Sequence, residues 1–168
     1  MPRTPTPPHS QAEYVGIICN AWAGLELQID SITWVIADVR PAMGACITAQ
    51  FTSIHPKLKA LIALCRHKEV DHKLIKRLNT FRQSLYSTAD KRNRAVHDAW
   101  MPQVSPGGIE IVQWDLGTGK DVNEFTRPTP LCELIELNRE IHKRMSAFAT
   151  IKDDLLSELR SSQKIPPG

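Results

Sequence analysis

The chain has 168 residues, 42% of them hydrophobic and 23% charged, which is enough for one globular domain with its own core and points to one domain, not two. It has no apolar run of about 18 residues or more, and the opening MPRTPTPPHS has no apolar signal core, so the expectation is a protein of the cytoplasm with no membrane partner. Net charge is only +3, yet residues 66 to 94 hold nine basic residues against three acidic ones, a local balance of +6 that leaves −3 for the rest and suits either a polyanion such as RNA or DNA or a solvated basic helix face.

In chain order, the proline-rich residues 1–9 read as a disordered tail and 161–168 as another, leaving 10–160 as a single domain. Ser10 and Glu13 have capping-box spacing and open a long helix whose apolar row is Val15, Ile18, Trp22, Leu25, Ile29, Ile32 and Ile36, stopped by Pro41. Shorter helices are expected from Pro41 to about Phe51 and from Pro56 to about Lys68. Asp71 can cap a second long helix with the row Leu74, Leu78, Phe81, Leu85, Thr88, Arg92, Ala95 and Ala99. After Trp100 the prolines and glycines break the helix, and IEIVQWD, GTGK and DVNEFT predict a small β-hairpin at about 109–126. Thr129 and Pro130 suit an N-cap and first helical position, opening a last helix with Leu134, Ile141, Met145, Phe148, Leu155 and Leu159 facing inward. Long amphipathic helices of this kind bury their stripes against one another, so the predicted fold is an all-α, up-and-down helical bundle with the hairpin as an insertion.

One residue breaks the pattern. At about 100° per residue, Leu74, Leu78, Phe81 and Leu85 fall within about 40° of Arg92, so a guanidinium that cannot neutralise itself points at a packing surface. Either a carboxylate of the first helix, Glu26 or Asp30, pairs with it, or Arg92, Asn93 and His97 face a cleft or subunit interface where a phosphate supplies the missing charge. Asn93 and His97 are four apart and lie beside the stripe, at roughly 100° and 140° from Arg92. A histidine in such a place can give and take protons near neutral pH.

The stretch RNRAVH, Arg92 to His97, near the end of a long helix in a small all-α protein, resembles the R-x(4-6)-H motif of the HEPN superfamily in its R-N-x-x-x-H form. The resemblance covers the helical core, roughly 10 to 160, and not the hairpin. It implies a metal-independent endoribonuclease that needs no cofactor, acts on RNA as a homodimer with the two motifs meeting across the interface, and leaves a 2′,3′-cyclic phosphate. Carried over residue by residue, His97 is the acid and base, Arg92 binds the phosphate and its developing charge, and Asn93 orients one or the other. Members of the superfamily resemble toxins of toxin and antitoxin pairs or phage-defence proteins, which makes an antitoxin protein a further expected partner. Others keep binding without catalysis, so the alternative is a non-catalytic helical dimer that binds nucleic acid or a partner protein through the same surface.

Other candidates are weaker. His55, His67 and His72 match no zinc spacing, and the cysteines Cys19, Cys46, Cys65 and Cys132 form no C-x-x-C pair, so no metal site is expected and the thiols are read as reduced and mostly buried. GTGK lacks the spacing of a phosphate-binding loop and reads as a turn. Trp22, Trp34, Trp100 and Trp114 can stack on bases, but packing in a core or interface is the plainer reading.

Overall fold

The computed structural model describes residues 10–106, 108–118, 122–128 and 130–161. Its elements are α1 (Gln11–Ile36), α2 (Pro41–Thr48), α3 (Ile54–His67), α4 (His72–His97), β1 (Ala99–Ser105), β2 (Gly108–Thr118), β3 (Val122–Pro128) and α5 (Leu131–Ser161). The fold is the all-α bundle with a β insertion that the periodicity predicts. Of the tails expected at 1–9 and 161–168, Ser161 belongs to α5 and the rest lies outside the described residues.

Helix α1 starts where the capping box requires. The Ser10 hydroxyl accepts from the Glu13 N–H at 3.3 Å, and the Glu13 carboxylate accepts from the Ser10 N–H at 2.5 Å. Its row from Ile18 to Ile36 is buried, and the chain turns through Asp38, whose φ of 55° is the left-handed conformation that short polar side chains tolerate. Pro41 then begins α2. That helix rests on α1 through Gly44, where an added Cβ would stand 2.3 Å from the Trp34 ring, while the Trp34 indole donates to the Thr48 hydroxyl at 3.2 Å. Only glycine permits so close an approach.

Three contacts fix α4 antiparallel to α5: the Arg77–Asp154 ion pair at 2.6 Å, the Phe81 and Phe148 rings 5.3 Å apart, and Thr88 against Glu140. Asp71 caps α4 by accepting from the Lys73 N–H at 2.6 Å, and its own N–H donates to Glu158 near the end of α5. The core between the helices is formed by side chains such as Leu25, Leu58, Leu85, Ile141 and Phe148, each with no exposed surface. Each such burial contributes about 1.5–3 kcal/mol before conformational entropy is counted. In α5, Leu134, Ile141, Phe148, Leu155 and Leu159 are buried as expected and Met145 is half-buried; Thr129 lies outside the described residues.

The insertion is larger than the predicted hairpin. It is a three-stranded antiparallel sheet in the order β1-β2-β3, and β1 begins two residues after α4 ends. Pro102 and Pro106 signal a break in the sequence, but Pro102 sits opposite Ile111 on an edge strand, where a missing N–H costs no ladder bond on the solvent side. The thiols also depart from expectation. Cys65 alone is buried, Cys19 is half-buried, and Cys46 and Cys132 are exposed. Among the described residues no helix is long and apolar enough to cross a membrane.

Candidate functional site on α4

All three residues of the motif come from the last turns of α4. Thr88, one turn before Arg92 on the stripe, is fully buried and resolves its polarity by donating its hydroxyl to Glu140 at 2.5 Å. Glu140 also takes Lys91 at 3.0 Å and lies 3.7 Å from Arg144. Burial pushes this carboxyl up, but the hydrogen bonds from Thr88 and Lys91 and the charges of Lys91 and Arg144 outweigh it and hold the group below its ordinary value.

Arg92 has no such partner. One of its terminal N–H groups donates to the Asn93 side-chain oxygen at 3.1 Å, and its guanidinium carbon stands 5.7 Å from the centroid of the Trp22 ring. Its Nε is buried with no acceptor. The two carboxylates that could have formed an ion pair with it are already engaged. Asp30 holds Lys57 at 2.7 Å, and Glu26 lies 3.5 Å from Lys57 while accepting the Trp22 indole N–H at 2.9 Å. Glu26 therefore fixes the ring beneath Arg92 instead of meeting the guanidinium. A cation over an aromatic face gains about 0.5–1 kcal/mol, rising to roughly 2 when desolvated, and a buried donor without a partner loses about 1–3 kcal/mol. Among the described residues no acceptor meets the Arg92 Nε.

The structure brings Arg92 and Asn93 together and keeps His97 apart. His97 ends α4, exposed, about 7.5 Å further along the axis and about 140° around it. One chain thus presents the imidazole on the Asn93 side of the helix and the guanidinium on the stripe, with Arg92 reaching across to the Asn93 oxygen. The field around them is milder than the sequence suggests, because Lys91, Arg94 and Arg77 are paired with Glu140, Asp90 and Asp154. Arg66, Lys73 and Lys76, which form no ion pair among the described residues, sit at the opposite end of the bundle, more than about 30 Å from His97 by helical rise. The +6 stretch is two separate regions.

No family model, curated protein or solved structure matches this chain.

The remaining sequence candidates fall elsewhere. Among the described residues no three His, Cys, Asp or Glu side chains are grouped to hold a metal ion. His67 and His72 are exposed at the α3–α4 turn, and His55 stacks on Tyr86 with ring centroids 4.0 Å apart. Trp22 is buried, Trp34 is bonded to Thr48, and the Trp100 indole donates to the Ala95 carbonyl at 3.0 Å. Of GTGK, Gly119 and Lys120 lie outside the described residues. An apolar groove of about 430 Å³ runs between Val15 at the start of α1, Trp100 and Ile111. Sequence reasoning missed the roles of Trp22 and Glu140, since both depend on contacts between elements distant in the chain; only the polar break in the stripe at Thr88 hinted that a carboxylate would be needed there.

Proposed function

We propose that this protein is a metal-independent endoribonuclease of HEPN type, working as a homodimer in which two copies of the Arg92, Asn93 and His97 set face each other. The observation that carries the reading is the half-buried Arg92, seated on Trp22, with an unpartnered Nε and no carboxylate to neutralise it. A phosphodiester supplies the missing charge and acceptors. Since His97 lies about 140° around the helix from Arg92, a single chain does not converge on one phosphate; in the proposed dimer the second copy, related by a two-fold axis, completes the set. Exposed Met101 and Val104, just after α4, add apolar surface beside the motif.

The chemistry needs no protein nucleophile. The RNA 2′-hydroxyl attacks its own phosphorus, His97 moves a proton at that hydroxyl or at the leaving 5′-oxygen, Arg92 stabilises the charge that develops on the non-bridging oxygens, and Asn93 holds the guanidinium in orientation. The product is a 2′,3′-cyclic phosphate. Toxin or phage-defence activity, with an antitoxin as partner, belongs to the same proposal, as does a setting in the cytoplasm.

The test is incubation of the purified full chain with an RNA pool in EDTA, with end analysis of the fragments. The expected result is cleavage with cyclic-phosphate ends that His97→Ala abolishes while leaving the circular dichroism spectrum unchanged. Cutting that requires magnesium, or equal cutting of an all-deoxy substrate, refutes the mechanism. RNA binding without cleavage transfers the proposal to the non-catalytic dimer.

A further inference from the structure

Outside the motif, one cluster has a composition that neither packing nor the proposed chemistry accounts for. The His55 ring lies against Tyr86 at 4.0 Å with an interplanar angle of 17°, and Tyr86 is 51% exposed. Arg82 donates to the Tyr86 hydroxyl at 3.1 Å, and its Nε, like the His55 Nδ1, is buried without a partner. Arg82 and Lys59 are both close enough to His55 to push its proton off, adding to the effect of burial, and neither forms an ion pair among the described residues. The first turn of α3 adds to this field, since Ser53 makes no side-chain cap at the positive end of that helix. Two cations, a helix N-terminus and a half-open aromatic stack therefore meet, and among the described residues no carboxylate pairs with either cation.

The position of the cluster matters as much as its content. On α4, residues 82, 86, 90, 93 and 97 fall within an arc of about 80°, so Arg82 and Tyr86 share one face with Asn93 and His97. Asp90, the acid on that face, is neutralised by Arg94 at 2.8 Å. Helix α3 begins at Ile54, and His55 in its first turn meets Tyr86; beyond Tyr86 this face of α4 carries the exposed Asp90, Asn93 and His97. From Tyr86 to His97 is eleven residues, about 16 Å of helix, which is the length of roughly two to three extended nucleotides.

We propose that Tyr86, His55, Arg82 and Lys59 form a subsite for single-stranded RNA, in which a base extends the His55–Tyr86 stack and its phosphate lies against Arg82 and Lys59. The strand then runs along the outer face of α4 to His97. Such a platform accepts any base, because every base has a π-face, and the His55 contact already orders the Tyr86 ring, which lowers the entropy lost on binding. This deepens the ribonuclease reading and rests on it for the direction of the strand, but binding at the subsite is measurable without cleavage.

The experiment uses the full chain and a fluorescein-labelled RNA octamer with 2′-O-methyl groups, which cannot be cut, read by fluorescence anisotropy at fixed salt. Tyr86→Ala is expected to weaken binding about fivefold to 100-fold, Tyr86→Phe to bind as the unaltered chain, and Lys59→Ala to weaken binding and lower the salt dependence by a slope of about 0.7. Circular dichroism melting of each variant separates lost binding from lost fold. An octamer bound equally well by Tyr86→Ala and Lys59→Ala overturns the subsite even if the unaltered chain cleaves RNA. Binding that depends on Tyr86 in a chain that cleaves nothing supports the subsite and removes the ribonuclease reading. If the unaltered chain binds no octamer, the subsite is rejected, and cleavage of the RNA pool then decides the ribonuclease reading separately.

Discussion

Replacing Arg92 by methionine separates a residue kept for function from one kept for structure. The substitution removes a buried Nε without a partner, which relieves about 1–3 kcal/mol. It also loses the contact with Trp22, about 0.5–1 kcal/mol, and the hydrogen bond to Asn93, about 0.5–1.5 kcal/mol at most because Asn93 is exposed. At the middle of their ranges, about 2 kcal/mol gained against about 1.75 lost, these terms nearly cancel, and methionine keeps the stem packed along the stripe, so the expected change in the fold is about 1 kcal/mol or less. Lys57→Met is the contrast. Lys57 is 8% exposed and holds a carboxylate, Asp30, that is itself 9% exposed, so its removal strands a buried charge and costs about 3–5 kcal/mol. With melting temperature moving about 2–4 °C per kcal/mol in a chain of this size, Arg92→Met should melt within about 4 °C of the unaltered protein and Lys57→Met at least about 6 °C below it. Differential scanning calorimetry reads both, and the same Arg92→Met sample should have lost RNA cleavage. If it unfolds as early as Lys57→Met, Arg92 is a structural charge and the site argument fails.

Light scattering at micromolar concentration should give twice the mass of one chain; a monomer would count against a site shared between copies. Thiol reactivity should follow exposure: Cys46 and Cys132 alkylate in the native protein, whereas Cys65, whose thiol is pushed up to about 12 by burial and then by the Glu158 charge, reacts only on unfolding, as mass spectrometry of the labelled peptides will show. Labelling of Cys65 at the rate of Cys132 would mean that the core opens readily. Stability should fall with acid in two stages. His55 in the fold takes its proton less readily than its ordinary value of 6.5, through burial and the charges of Arg82 and Lys59, so the unfolded chain binds more protons as pH drops below about 6.5. Glu140, held below its ordinary 4.5, adds a second loss as pH falls beneath that. His55→Phe should flatten the upper stage alone, and an unchanged profile would show that His55 does not titrate with folding.

What the sequence made legible was local. Periodicity placed the long helices, and Ser10, Glu13 and Asp71 announced their caps, because those signals depend on residues three or four apart. Arg92 stood out for the same reason. Its surroundings did not: that Lys57 occupies Asp30, and that Glu26 bonds to the Trp22 indole, are contacts between elements that no spacing encodes. The strand β1 stayed hidden because Pro102 reads as a break wherever its neighbours are unknown, and only an edge position makes it harmless. The basic stretch misled in a physical way, since it took the fold to show which charges are paired and how far apart the others lie.

The sheet invites a different use of this protein. Its strands pair with one another, and among the described residues the Gln113 amide donates to Asp98, the Trp100 indole donates to the Ala95 carbonyl and the Trp100 ring packs against the helical core. Helices α4 and α5 are antiparallel, and their 88 to 140 register carries Leu131 level with His97, so a turn of a few residues suffices to join them. The segment from Met101 to Pro128 can then be exchanged while Trp100 stays to cover the core. Chimaeras that exchange this segment for a short linker, or for an unrelated small domain, should keep the scaffold while altering what is displayed beside the last turn of α4, making this a natural position for grafting new recognition onto an unchanged frame.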